Sequence, residues 1–321
     1  MNGKRMRRMI VWTLGGLVVV GVIGALVLQY AIAQNGPAVL SAVDRLTGGD
    51  GGAEQLAVVS TGDHPQQKLV VWGPDTQEHA RSGKPRPVLL FVHGGSWRSG
   101  DPEDYDFVGR AFVERGFLVV LAGYRLEEAG KYPAMLTDTA SAIGWTHREI
   151  ANHGGDPENI VVAGHSAGAY NVVMAALEDK WLAEEGLSSD DIKGVIGMSG
   201  PYDFYPFDSD STIAAFGEAP EPEITQPIAH ITGNAPQMLF LHGEEDTTVR
   251  PRNSRILAEK LKDEGGHALT VFFPKKDHID PLTSLAAPWR SRREVADLIA
   301  GFATGVTSSD TVSVPVQEET R

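Results

Sequence analysis

The chain has 321 residues, of which 42% are hydrophobic and 22% charged, with a formal net charge of −14 and no cysteine. The lack of cysteine excludes disulfides, thiolate metal sites and a cysteine nucleophile. The acidity, with no basic stripe interleaved with aromatics, excludes a nucleic-acid partner.

Lys4, Arg5, Arg7 and Arg8 precede a segment, residues 9–28, that is apolar or small and carries no charge. Its length matches a helix crossing a hydrocarbon core of roughly 30 Å, and the basic flank predicts that the end before it stays in the cytoplasm. Residues 1–34 are therefore expected to be a membrane anchor, with the folded body on the periplasmic or extracellular side. The competing reading is a signal peptide cleaved near Ala31-Ile32-Ala33, which secretes the same body. A buried core helix fits less well, because the charges flank the segment and none interrupts it.

Residues 35–54 read as a linker, since they are rich in small residues and end in the glycine-dense stretch 47–52. The body then spans 55–304, a size that suits one large α/β domain. Two β-rich stretches, 56–59 and 68–72, flank a turn at 62–65. Short apolar runs at 87–92, 117–122, 159–163, 192–198, 238–241 and 268–273 then alternate with helix-compatible segments at 104–115, 133–152, 167–180, 253–264 and 290–302. Continuous apolar runs separated by helices predict strands covered on both faces, which is a mostly parallel, doubly wound α/β sheet. The alternation breaks at 201–236, a segment rich in proline, aromatics and acids that is expected to be a short cap insertion. Residues 305–321 are polar and expected to be a disordered tail.

The run 159–163 leads straight into Gly164-His165-Ser166-Ala167-Gly168 and then a helix-forming sequence. This is the strand, sharp turn and helix of a nucleophile elbow. The turn leaves no room for side chains at Gly164 or Gly168 and pushes Ser166 outward. A second motif, His93-Gly94-Gly95-Ser96-Trp97, follows the apolar run 87–92. Unhindered amides there can aim at an oxyanion, and the candidate donors are Gly95, Ser96 and Ala167.

A serine hydroxyl needs a base to attack at neutral pH. After Ser166 the candidates are His230, His242, His267 and His278. His278 stands in the loop after the strand ending at Phe273, at the same sheet end as Ser166. His267 precedes that strand, His242 lies within a strand-end turn, and His230 falls in the insertion. For the orienting acid Asp246 follows the strand 238–241, with Glu244, Glu245 and Asp203 as competitors. Trp97 and Tyr202 are the candidate substrate contacts, together with Phe204, Tyr205, Phe207 and Phe216, and ordinary packing competes at each of them. His93 reads as a brace for its own loop. No metalloprotease, EF-hand, P-loop or dinucleotide signature occurs, so neither a metal nor a cofactor is expected.

Taken together, HGGSW, GHSAGAY, LHGEED and Asp277-His278 resemble the bacterial carboxylesterases related to hormone-sensitive lipase and the feruloyl-esterase-like α/β-hydrolases, over about residues 68–302. The resemblance implies the α/β-hydrolase fold, with Ser166, Asp246 and His278 as the catalytic triad and Gly95, Ser96 and Ala167 as oxyanion donors. It implies cofactor-free hydrolysis of esters of small to medium acyl groups. Ser96 departs from the commoner HGGG. Kynurenine formamidases carry similar motifs, so amidase or formamidase chemistry competes, as do a peptidase and a non-catalytic binding module of the same fold.

Overall fold

The computed structural model describes residues 35–49, 51–75, 83–291 and 294–308, with isolated positions 12, 24, 27, 30 and 31 before them. In chain order the elements are α1 (35–46), β1 (Ala53–Ser60), β2 (Lys68–Pro74), β3 (Arg86–Val92), α2 (Asp106–Val113), β4 (Leu118–Ala122), α3 (Ala134–Glu149), β5 (Gly155–His165) and α4 (Ala167–Leu177). There follow α5 (Lys180–Ala183), β6 (Gly194–Met198), α6 (Asp210–Phe216), β7 (Met238–Gly243), α7 (Arg252–Asp263), β8 (Ala268–Phe273), α8 (Asp280–Thr283) and α9 (Glu294–Thr307).

The strands form one eight-stranded sheet in the order β1-β2-β4-β3-β5-β6-β7-β8. β1 and β2 run antiparallel to their neighbours, and β3 to β8 are parallel. The apolar runs are buried on both sides because successive side chains alternate between faces. Val88, Leu90 and Val92 of β3 join Leu118 and Val120 of β4 on one face, with α3, α4 and α7. Leu89, Phe91, Val119 and Leu121 point the other way, onto α2 and α9. Helix α4 is buried along its whole length, which fits its almost entirely apolar sequence Ala167–Leu177.

Two expectations change. Residues 35–46, expected within a linker, are helical. Within α1 the Asn35 side chain accepts the amide of Ala38 at 3.1 Å. Asp44 is fully buried, where it accepts from Arg110 Nε at 2.6 Å, Arg290 Nη2 at 2.6 Å and the Ala287 amide at 2.7 Å. These contacts tie α1 to α2 and to the segment before α9. At the other end α9 continues through Thr307, three residues into the expected tail, and 309–321 lie outside the described residues. The insertion is ordered as α6 and two short turns, Pro222–Thr225 and Pro227–Ala229. The expected membrane segment 9–28 lies outside the described residues apart from positions 12, 24 and 27. Among the described residues no helix is long and apolar enough to cross a membrane.

Candidate active site

β5 ends at His165 and α4 starts at Ala167, so Ser166 alone makes the turn, with φ 55° and ψ −119°. A side chain rarely takes this conformation, and such residues cluster where the surrounding structure enforces the strain. Enforcement comes from both sides. The Ser166 amide donates to Met198 O at 2.8 Å and its carbonyl accepts from the Tyr170 amide at 3.1 Å. A methyl group on Gly164 would collide with the backbone of Gly168, and one on Gly168 would collide with the carbonyls of Val92 and His93 at the end of β3.

The Ser166 hydroxyl lies 2.9 Å from His278 Nε2, and His278 Nδ1 lies 2.7 Å from Asp246 Oδ2. Because a carboxylate only accepts, the ring hydrogen sits on Nδ1, and Nε2 is left to accept from the serine. Ser166 is 8% exposed, the His278 side chain 14% and Asp246 3%, so the relay meets solvent at the serine and the imidazole and is closed off at the carboxylate. Asp246 Oδ1 accepts the amides of Thr248 at 2.9 Å and Val249 at 2.8 Å. Burial pushes the Asp246 carboxyl up, but hydrogen bonds from His242 and His278 and the charge of His278 outweigh it, holding it well below the usual carboxylate range.

The rival positions are occupied elsewhere. Glu244 and Glu245 are exposed, Asp203 faces Arg252 at 3.4 Å, and His267 sits exposed at the start of β8. His230 donates through Nε2 to Ile224 O at 2.6 Å within the insertion.

Two histidines passed over in the sequence touch the relay. His165 Nε2 donates to the carbonyl of His278 at 3.0 Å, clamping the loop of the base to the elbow. Burial lowers the pKa of His165 to about 3, so it makes this contact as a neutral ring. His242 is fully buried at the end of β7, with Nε2 3.2 Å from Asp246 Oδ2. His165 is not signalled by local pattern, because its partner comes from the loop after β8; His242 stands close in the chain to Asp246 and Val249, and only the folding of the turn between them reveals the contact.

The HGGSW loop lies against the elbow. A methyl group on Gly94 would come 2.9 Å from His165 O and 3.2 Å from Ser166 Cβ, so Gly94 is the point at which this loop packs on the nucleophile. Gly95 has φ 121° and would collide with Ser99 O if it carried a side chain. Its carbonyl accepts the amides of Arg98 and Ser99, at 3.0 and 3.1 Å. Ser96 follows with φ 56° and is exposed. Ala167 opens α4 directly after the serine, and its amide belongs to the first turn, where helical amides lack an intrahelical partner. His93 is buried, stacked 4.6 Å from the ring of Tyr124, and donates through Nδ1 to Gly94 O at 2.8 Å, which is the bracing role expected of it.

Trp97 and Tyr202, the expected substrate contacts, are both buried. Trp97 is 3% exposed, edge-on to Tyr170 and Phe216 at 5.4 and 4.8 Å, with Nε1 donating to Asn171 Oδ1 at 3.1 Å. Tyr202 is fully buried against Phe240, 5.3 Å between ring centres, and its hydroxyl has no hydrogen-bond partner. The apolar surface of both rings is consumed by packing. Phe216 is likewise fully buried, whereas Phe204 and Phe207 are half-buried and Tyr205 is 39% exposed. Among the described residues no cluster of histidine and carboxylate side chains has the arrangement of a metal site.

The BD-FAE family model matches residues 75–261, a span that includes Ser166 and Asp246. Esterase LipQ of Mycobacterium tuberculosis is 31% identical over 238 residues, 68% of this chain and 55% of its own length. A probable isoprenylcysteine alpha-carbonyl methylesterase of Arabidopsis thaliana is 27% identical over 244 residues, 68% of this chain and 50% of its own length. The chain thus spans about half the length of the relatives it matches. The apo form of Thermogutta terrifontis esterase 2 superposes with a TM-score of 0.66 at 24% identity, covering 81% of this chain and 97% of that one. That likeness shows the α/β-hydrolase fold.

Proposed function

Since the chain belongs to the BD-FAE family, we propose that it is a serine hydrolase that cleaves carboxylic esters of small to medium acyl groups through an acyl-enzyme. The observation that carries this reading is the continuous relay from the Ser166 hydroxyl through His278 to Asp246, at 2.9 and 2.7 Å. His278 Nε2 takes the proton as Ser166 Oγ attacks the ester carbonyl, and Asp246 holds the tautomer and stabilises the imidazolium. The amides of Gly95, Ser96 and Ala167 face the developing oxyanion. The alcohol leaves with the proton from His278. Water, deprotonated by the same ring, then releases the acid and restores the serine.

The names of relatives, LipQ among them, support ester over amide substrates. Replacing Ser166 by Ala should lower turnover of p-nitrophenyl acetate by about 10⁶-fold, and a fluorophosphonate should label Ser166. Unchanged turnover in the Ala variant, or labelling at another residue, overturns the assignment.

We further propose that residues 9–28 anchor or export the body to the non-cytoplasmic side. The uncharged apolar run and the basic residues Lys4, Arg5, Arg7 and Arg8 support this reading. Protease digestion of intact and of opened cells tests it. A body cleaved only after opening the inner membrane contradicts it.

A further inference from the structure

His242 is the last buried side chain of β7 before the turn that carries Asp246, and the chemistry proposed above leaves it without a task. Its surroundings are specific. Nε2 lies 2.8 Å from the carbonyl of Val249 and 3.2 Å from Asp246 Oδ2. Both are oxygens without a proton, so the ring hydrogen is on Nε2. Nδ1 is left to accept from the hydroxyl of Ser254 on α7, at 2.8 Å.

The Val249 carbonyl that takes the Nε2 hydrogen belongs to the residue whose own amide donates to Asp246 Oδ1 at 2.8 Å. His242 therefore acts on the carboxylate twice. It fixes the backbone that holds Oδ1, and it turns the positive edge of its ring toward Oδ2, the oxygen that accepts from His278 at 2.7 Å.

We propose that His242 is a positioning residue that sets the orientation of the Asp246 carboxylate, and through it the tautomer and angle of His278. The inference rests on the hydrolase reading above. It differs from a purely structural role, in which His242 would serve only to join β7 to α7 through Ser254.

Two conservative substitutions separate the roles by geometry. Gln reaches as far as Nε2 and can present an N–H to Val249 and Asp246. Asn reaches only as far as Nδ1 and can serve only Ser254. In the full chain, His242→Gln should keep kcat for p-nitrophenyl acetate within about threefold of the parent. His242→Asn should lower kcat by about 10²-fold, the scale of a misplaced catalytic group, with KM within about twofold. The downfield proton resonance of the His278 Nδ1 hydrogen should persist in the Gln variant and shift or vanish in the Asn variant.

Equal kcat in the two variants, or a better Asn than Gln, overturns the proposal, as does an unmoved downfield resonance in His242→Asn. An inactive parent that still shows the downfield proton, displaced only in the Asn variant, would sink the hydrolase reading while leaving the positioning role intact. Should the Asn variant not fold, His242→Leu takes its place as the form lacking the Nε2 contacts.

Discussion

Replacing Asp246 by Asn changes one atom and should abolish the base. Oδ1 is held by two backbone donors, the amides of Thr248 and Val249 at 2.9 and 2.8 Å, so the amide oxygen of Asn must occupy that position. Its NH2 group then faces His278 Nδ1, where a 2.7 Å contact now joins a ring hydrogen to a carboxylate oxygen. Two donors cannot share that contact. The ring answers by moving its hydrogen to Nε2, which meets the Ser166 hydroxyl at 2.9 Å with a proton instead of a lone pair. The His242 edge, 3.2 Å from Oδ2, meets the same NH2 and gives no relief. A wrong-tautomer lesion of this kind lowers turnover by about 10⁴-fold, equivalent to about 5.4 kcal/mol of transition-state stabilisation. Steady-state hydrolysis of p-nitrophenyl acetate at pH 7.5 measures it, with circular dichroism to establish folding. A folded Asn variant that keeps more than a tenth of the parent kcat/KM would refute the orientation argument.

Removing the buried carboxylate in Asp44→Ala takes away the 2.6 Å partner of Arg110 Nε and of Arg290 Nη2 and leaves these side chains to Asp106 and Glu114; urea titration should show a loss of about 1.5–3 kcal/mol, the scale of a hydrogen bond to a charged group, and a loss below about 1 kcal/mol would mean that α1 is not held by this network. Tyr202→Phe deletes a buried hydroxyl that has no partner, so stability should stay level or rise by about 1 kcal/mol with KM unchanged; a raised KM would restore Tyr202 as a substrate contact. Burial lowers the pKa of His93 to about 4 and of His165 to about 3, below the value of about 6.5 in the unfolded chain. The unfolded state therefore binds these protons first as pH falls, so their contribution to stability is intact above about pH 6.5 and is lost on the way down to pH 4 and below, by up to about 2.7 kcal/mol per pH unit for the pair. Urea midpoints at pH 7, 6 and 5 should fall in that order, and equal midpoints would contradict the sign.

Much of this arrangement is legible in the sequence because its determinants are adjacent in the chain. The apolar runs carry their own signal, since a strand buried on both faces needs every residue apolar, as Leu118–Ala122 is. Gly164, Ser166 and Gly168 sit within five residues and state the elbow directly. His278 could be chosen over His267 because the two flank the same strand at opposite ends. What escaped the sequence depends on partners far along the chain. Asp44 looks like one more polar residue in a glycine-rich connector, and only Arg110 and Arg290, 66 and 246 residues away, make it the fastening point of a helix. Trp97 stands in the HGGSW loop and Tyr202 in the insertion, positions that, on sequence alone, point both rings toward substrate. Exposure is decided by the far side of each ring, where Tyr170, Phe216 and Phe240 already sit.

The base itself poses a problem of reach, and its solution explains a glycine the motifs do not require. β8 and β5 are separated by β7 and β6, so with neighbouring strands about 4.8 Å apart the loop after β8 must carry His278 across roughly 14 Å to meet Ser166. It does so by lying on the end of β7. Lys276 O accepts the Glu245 amide at 2.9 Å, and Phe273 O accepts the Glu244 amide at 3.0 Å. A methyl group on Gly243 would collide with the carbonyls of Lys276 and Asp277, so a side chain there would lift the loop off the strand end. From the other side His165 holds the His278 carbonyl at 3.0 Å. The imidazole is thus fixed by its backbone at both edges of the gap, and the acid turn and the elbow meet it from opposite sides. Ser166, His278 and Asp246 are the reacting groups, but the distances between them are set by Gly243, His165 and His242, none of which has to touch the substrate.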